Sequence, residues 1–283
     1  MRGALHRGDP IGVDIVKIFE DFFDAGGGGD FLGRWSHILF GITWIGLLYF
    51  FNVVQVPAYA QMEAGARGEA LRKVTFRALW WFRWAALATF LTGIWLMSIN
   101  ELWDFKGPRG TSIGIAALLA ITMFLNVWGV IWRYQKINIA SSEAVAAGGQ
   151  ADPRAAHAAN AAGRASRINT FFSIPMLFFM VFSAHYSGRY SDDGGKLAAV
   201  FIIAAVIWAV MEASALGLIG GLDNAINKAI LADHRKTIGA GFVFVVIGRI
   251  PSWTRREPHP VSRERRSATL RIGLRAPRRA PTE

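Results

Sequence analysis

The apolar residues of this chain are gathered into continuous blocks about as long as the hydrocarbon of a bilayer is thick. Five of them cover Phe31–Val54, Ala78–Ile99, Ser112–Trp132, Thr170–Tyr186 and Leu197–Leu222. A helix of about 20 apolar residues spans the roughly 30 Å hydrocarbon core. In lipid, only helices and closed barrels satisfy their own backbone polar groups. A barrel strand would alternate apolar and polar positions, and these blocks do not. The sequence therefore predicts an all-α fold, a polytopic membrane bundle of five to six transmembrane helices. The sixth apolar stretch, Ile238–Ile250, has only about 13 residues, short for a full crossing. Composition agrees with lipid as the solvent, with 53% hydrophobic residues, 18% charged and a mean hydropathy of +0.30.

Three parts follow. Residues 1–30 form an N-terminal surface segment with no apolar run and cleavage site of a secretory signal. Within it, Val13–Phe23 has the pattern of a short amphipathic helix. Residues 31–250 are the transmembrane bundle. Residues 251–283 are a tail with nine Arg and five Pro, which reads as disordered. Between the third and fourth spans, Asp152-Pro153 has the form of a helix N-cap followed by proline in the first turn. Pro153–Arg167 is then a basic helix leading into the fourth span.

Lysine and arginine set the orientation. The first loop carries Arg67, Arg72, Lys73 and Arg77, and the third carries Arg133, Lys136, Arg154, Arg164 and Arg167. Lys228, Arg235 and Lys236 follow the fifth span. The second and fourth loops carry only Lys106, Arg109, Arg189 and Lys196. The positive-inside rule puts loops one and three in the cytoplasm and the N-terminus outside. The net charge of +11 then belongs to topology and anionic lipid. No nucleic-acid motif accompanies it, so nucleic acid is not expected as a partner.

The chain has no cysteine. That excludes disulfides, iron–sulfur clusters and a covalently attached c-type heme, but leaves room for heme b on histidine ligands. Charged or imidazole groups inside a span are costly and are functional candidates by default. His37 lies about 9 Å into the first span, and His185 ends the fourth, which runs the opposite way. Both fall in the same leaflet, where they are candidate ligands of a heme iron. The competing reading has His37 bonded to a neighbouring helix and His185 among headgroups. Gly41 and Gly46 follow His37 and permit close approach of a helix or a flat cofactor. Arg83, Asn126 and Glu212 form a second set near the inner side, readable as a Glu212–Arg83 pair bridged by Asn126. Such a pair would fix helix packing, carry protons or contact substrate. His157 and His234 fall in loops.

Three blocks carry a family resemblance. They are Arg34-Trp-Ser-His-Ile-Leu-Phe-Gly-Ile-Thr-Trp-Ile-Gly-Leu-Leu-Tyr-Phe-Phe-Asn52, Asn126-Val-Trp-Gly-Val-Ile-Trp-Arg-Tyr-Gln-Lys136 and Arg167-Ile-Asn-Thr-Phe-Phe-Ser-Ile-Pro-Met-Leu-Phe-Phe-Met180. In this order they resemble the urate oxidase N-terminal membrane family, the membrane part of bacterial cytochrome-c-linked urate hydroxylase, over roughly residues 30–220. Locally, His37-x3-Gly41-x2-Trp44 is similar to the heme-dependent membrane protoporphyrinogen oxidase of bacteria, in which that histidine is a heme ligand.

The first resemblance implies oxidation of urate to 5-hydroxyisourate, with electrons passed to a cytochrome. In that family a c-type cytochrome domain follows the membrane part. Here an Arg/Pro tail stands in its place, so a separate cytochrome c or other membrane subunit is the implied partner. The alternatives are an inactive truncated relative, a non-catalytic subunit anchoring a redox or other membrane complex, and a transporter. Against the transporter, no inverted repeat is visible.

Overall fold

A computed structural model describes residues 17, 20, 27–189 and 192–249. The amphipathic segment 13–23, apart from residues 17 and 20, and the basic tail lie outside the described residues. Among the described residues the only regular secondary structure is helix. Five helices are long and apolar enough to cross a membrane: α1 Gly28–Gln61, α2 Ala64–Ile99, α3 Gly107–Ala146, α4 Ala155–His185 and α5 Gly194–Ala215. A sixth, α6 His234–Arg249, is shorter.

The apolar blocks mark only the lipid-immersed parts of these helices. α1, α2 and α3 run well past them at one end, where residues turn polar and basic. The expected first loop shrinks to a two-residue break at Met62 and Glu63, and Arg67, Arg72, Lys73 and Arg77 ride on α2 instead. A clip holds these extensions together: Arg72 Nη1 donates to the Ser142 carbonyl (3.3 Å) and to Ser142 Oγ (3.1 Å). The basic helix expected over Pro153–Arg167 and the fourth span are one continuous helix, α4, with Pro175 inside it. At its start the Asp152 carboxylate accepts from the Arg154 backbone N–H at 2.8 Å and pairs with the Arg154 side chain.

The fifth span ends earlier than its apolar run. Gly217 takes φ 76°, and the Leu218 N–H reaches back to the Ala213 carbonyl at 2.8 Å. This close is available to glycine because it has no Cβ to clash in the left-handed region. A Cβ on Gly217 would also stand 3.1 Å from the Leu222 nitrogen. Leu216–Leu222 therefore leaves the helix, and Glu212 sits near its end rather than about ten residues from it.

α1 and α2 form a hairpin. α4 is the central helix, packed on α3 and α6 and touching α1 and α5. α6 lies along α4 in the same direction: Phe244 stacks on Phe171 (5.8 Å), and Gly248 meets Phe179 further along. Gly241 allows this approach, since a Cβ there would lie 2.8 Å from Ile174 Cδ1 and 3.0 Å from the Phe171 carbonyl oxygen. The core between the helices is built from Leu48, Phe82, Ile115, Leu119, Met123, Ile168, Phe172 and Phe244.

One end of the bundle carries Gly28, Asn100, Gly107 and His185; we term it the N-terminal face. The opposite end, with the basic extensions, is the basic face. Four π-helical segments are described, Phe50–Gln55, Leu71–Thr75, Asn126–Ile131 and Asn227–Leu231, and all lie toward the basic face. The first precedes Pro57, whose ring has no N–H and crowds the carbonyl four residues back.

Candidate functional site

The polar side chains buried between the helices gather toward the basic face, around α4. Asn169 and Ser173 are fully buried. Asn126 Nδ2 donates to Asn169 Oδ1 at 3.0 Å and to Glu212 Oε2 at 3.2 Å. Asn169 Nδ2 donates in turn to the Met123 carbonyl, 2.9 Å away, beside the π segment that opens at Asn126. π turns often mark functional positions because the extra residue re-aims side chains and frees backbone groups. One turn along α4, Ser173 Oγ lies 3.1 Å from the Tyr49 hydroxyl of α1.

On the adjoining face of α4, Asn52 Nδ2 donates to Ser166 Oγ at 2.8 Å. Asn52 Oδ1 accepts from Arg167 Nε at 3.0 Å. Arg167 Nη1 reaches the carbonyls of Leu231 (3.3 Å) and Ala232 (3.0 Å), where the last π segment ends. Arg164 adds a bond to the Asn227 carbonyl and an ion pair with Asp223 at 3.6 Å. Arg164 and Arg167, expected on the basic helix that leads into the fourth span, clamp α4 to the 216–233 connection.

The expected inner set is therefore only partly assembled. Asn126 does join Glu212, but its second partner is Asn169. Arg83 is turned away. Its guanidinium carbon lies 3.8 Å from the centre of the Trp132 ring, with Trp84 and Trp128 at 5.5 and 5.8 Å. Among the described residues no ion pair joins it to Glu212. The α3 π segment puts Asn126 on the α4 side and Trp128 on the α2 side, so the bridging position and the arginine face different neighbours.

His37 faces α2. Its Nδ1 lies 3.1 Å from Thr92 Oγ1, and its Cε1 is 3.3 Å from where a Cβ on Gly93 would stand. Thr92 Oγ1 also donates to the Ala88 carbonyl at 2.8 Å, so its lone pair receives the imidazole N–H when Nδ1 carries the proton. That leaves Nε2 as the nitrogen for a metal or a second proton. His185 is exposed at the end of α4, on a helix that His37 does not face. Gly41 admits the Thr89 methyl at 4.0 Å, while Gly46 has open space beside it. Above His37, Arg34 bonds Asp30 (2.6 Å) and Asn100 (3.1 Å). Asn100 donates back to Asp30 at 2.8 Å and accepts from Arg109. This polar ring closes the N-terminal face. Among the described residues no group of three or more His, Cys, Asp or Glu could hold a metal ion.

Asn52, Asn169 and Ser173 carry the polar centre together with Arg167, and these three uncharged residues are not among those selected by charge. On α4 the signal is spacing: Ser166, Asn169 and Ser173 recur at helical intervals, which in a membrane marks a protein-facing stripe.

Apolar helices of this length and a polar centre facing inward define a multi-pass α-helical membrane protein. Residues 101–214 match the family model described as urate oxidase N-terminal, so this stretch is similar to that domain. It takes in α3, α4 and α5, and with them Asn126, Arg167, Asn169 and Glu212. No curated protein and no solved structure matches the chain.

Proposed function

We propose that the chain is a membrane oxidoreductase of urate hydroxylase type. Urate and water give 5-hydroxyisourate, two protons and two electrons, and the electrons pass to a separate cytochrome. The observation that carries this reading is the urate oxidase N-terminal match over residues 101–214, which contains most of the buried amide centre. Amides such as Asn126 and Asn169 donate and accept in one plane, which suits the alternating N–H and C=O edge of a purine. Glu212, hydrogen-bonded by Asn126, is the group placed to take a proton released by the reaction.

Heme b at His37 is part of the proposal. Thr92 fixes the ring through Nδ1, the second-shell bond by which proteins orient an imidazole ligand. His185 is the other candidate ligand. A bound heme would supply a one-electron relay between substrate and cytochrome. The proposed orientation sets the basic face in the cytoplasm and the N-terminal face outside, in a bacterial inner membrane, because the basic residues concentrate on one face.

The test is detergent-purified protein supplied with urate and oxidised cytochrome c. Cytochrome reduction coupled to loss of urate is expected, together with a Soret band that His37→Ala removes. Absence of both turnover and the Soret band would leave the alternative, a non-catalytic subunit, which predicts co-purification with a partner and assembly indifferent to His37→Ala.

A further inference from the structure

Arg83 carries its charge at the seam of α2 and α3 with no anionic partner among the described residues. α3 lines that seam with Phe124, Trp128 and Trp132, one per turn. Phe90 of α2 stacks on Phe124 at 4.5 Å and 4°, closing the seam toward the N-terminal face. Below that closure Trp84 meets Trp128 edge-on at 5.5 Å, and the Arg83 guanidinium lies over Trp132. Among the described residues Arg83 makes no hydrogen bond or ion pair. Its Nε and the Trp128 Nε1 are both buried N–H donors without an acceptor. Cation–π contact stabilises the charge but occupies ring faces, so the terminal guanidinium N–H groups, which are not sealed off as Nε is, still call for an acceptor. Glu212, the nearest carboxylate expected from sequence, bonds Asn126 instead.

Depth indicates what that acceptor is. From Arg83 to Asn100, which belongs to the polar ring at the N-terminal face, α2 rises about 26 Å over 17 residues. The hydrocarbon is roughly 30 Å thick, so Arg83 lies within one helical turn of the opposite boundary. Trp80, Trp81 and Trp84 are exposed on the lipid side of α2 there, as indole rings are at headgroup level. Lys136 Nζ approaches Trp132 to 5.9 Å, and Arg133 and Arg77 flank the seam in sequence. A second cation beside the first favours a lipid of net negative charge over a zwitterion.

We infer that Arg83, framed by Trp84, Trp128 and Trp132 with Lys136 beside them, is a binding site for the headgroup phosphodiester of an anionic phospholipid. The inference does not depend on urate chemistry. It differs from diffuse attraction of a basic surface in requiring one arginine and its tryptophan frame.

The test uses the full chain in nanodiscs of phosphatidylcholine carrying a rising fraction of phosphatidylglycerol, with lipid retained after ejection counted by native mass spectrometry. The wild-type protein is expected to retain phosphatidylglycerol over phosphatidylcholine, and Arg83→Gln to weaken that retention by about tenfold or more, the loss of a charged hydrogen bond. Arg109→Gln, on the opposite face, is expected to leave it unchanged. Trp132→Leu keeps the arginine and removes its platform, and is expected to weaken retention even if the glutamine variant fails to assemble. Equal retention by wild type and Trp132→Leu, no preference over phosphatidylcholine, or displacement of the lipid by millimolar inorganic phosphate or urate would each overturn the assignment.

Discussion

The two ends of this bundle are held together by different means. Toward the N-terminal face, α1 meets α2 through small residues, one histidine–threonine bond and the polar ring of Asp30, Arg34, Asn100 and Arg109. Toward the basic face, α1, α3, α4, α5 and the 216–233 connection meet through amides and an arginine clamp. The regular helix breaks into π turns there at Phe50–Gln55, Asn126–Ile131 and Asn227–Leu231. In lipid an apolar contact gains nothing from leaving water, so helix association falls to packing and interhelical hydrogen bonds. Below its polar ring the first end relies mainly on packing; the second uses directional bonds between buried side chains that fix where each helix stands. A centre requiring fixed geometry belongs at the second end.

That contrast is open to direct attack, and the largest effect is expected at Arg167. Arg167→Ala leaves the Asn52 oxygen and the Leu231 and Ala232 carbonyls without their charged donor. Bonds to a charged group are worth about 1.5–3 kcal/mol, so a loss of about 3 kcal/mol is expected in equilibrium unfolding in mixed micelles. A loss under about 0.5 kcal/mol, the scale of an ordinary interhelical bond in a membrane, would erase the distinction between the two ends.

Next in size is the α4–α6 contact. Gly241→Val puts methyls where the Phe171 carbonyl and Ile174 already stand, an overpacking expected to cost about 2 kcal/mol. The natural absence of cysteine makes α6 easy to probe. Cysteine at Val246, which is 62% exposed on a helix lying along apolar α4, is expected to resist a membrane-impermeant maleimide, while cysteine at Lys236 reacts. Equal reaction at both would remove α6 from the membrane.

The two ends can also be compared bond for bond. Asn169→Leu strips a fully buried amide of partners on α3, and about 1 kcal/mol is expected. His37→Leu removes one bond to a threonine that keeps its own helix carbonyl, and about 0.5 kcal/mol is expected. Reversal of that order would mean that the N-terminal half, not the amide centre, sets the bundle.

Much of this was legible in the sequence. The five spans follow from apolar run length, because lipid imposes that length. Their far ends did not, because α2 and α3 continue past the membrane as polar helices, and hydropathy is silent about helix in water. The end of α5 was missed for the opposite reason: Leu216–Leu222 is apolar, but Gly217 stops the helix. His37 and Asn126 were legible as polar groups in lipid. The Arg83–Glu212 pairing was not, since charge alone predicts that opposite ions meet and cannot show that a π turn points Trp128 at the arginine and Asn126 at the acid. Asn169 and Ser173 carried no charge to draw attention, although their spacing was visible.

The smallest expected effect lies at Asp233, before α6, and it tests whether the basic-face connection is itself held by directed bonds. Its carboxylate accepts from the Arg235 and Lys236 backbone N–H groups at 2.8 and 3.1 Å. The Lys236 N–H, then that of Arg235, then the positive charges of His234 and Arg167 hold its pKa below the ordinary carboxylate value of 3.8, against partial desolvation. A depressed folded pKa means stability that is complete above the ordinary value and lost as pH falls below it toward the folded value. The melting midpoint should therefore carry no Asp233 contribution to its slope from neutral pH to mild acid, and the cap should weaken only below about pH 3.8. Asp233→Asn keeps an acceptor oxygen and drops the charge, so it should abolish that acid-limb step while holding the cap. Asp233→Ala should lower the midpoint at every pH by removing the acceptor. If alanine and asparagine behave alike, α6 is positioned by its seat on α4 alone, and the directed bonding of the basic end stops at Arg167.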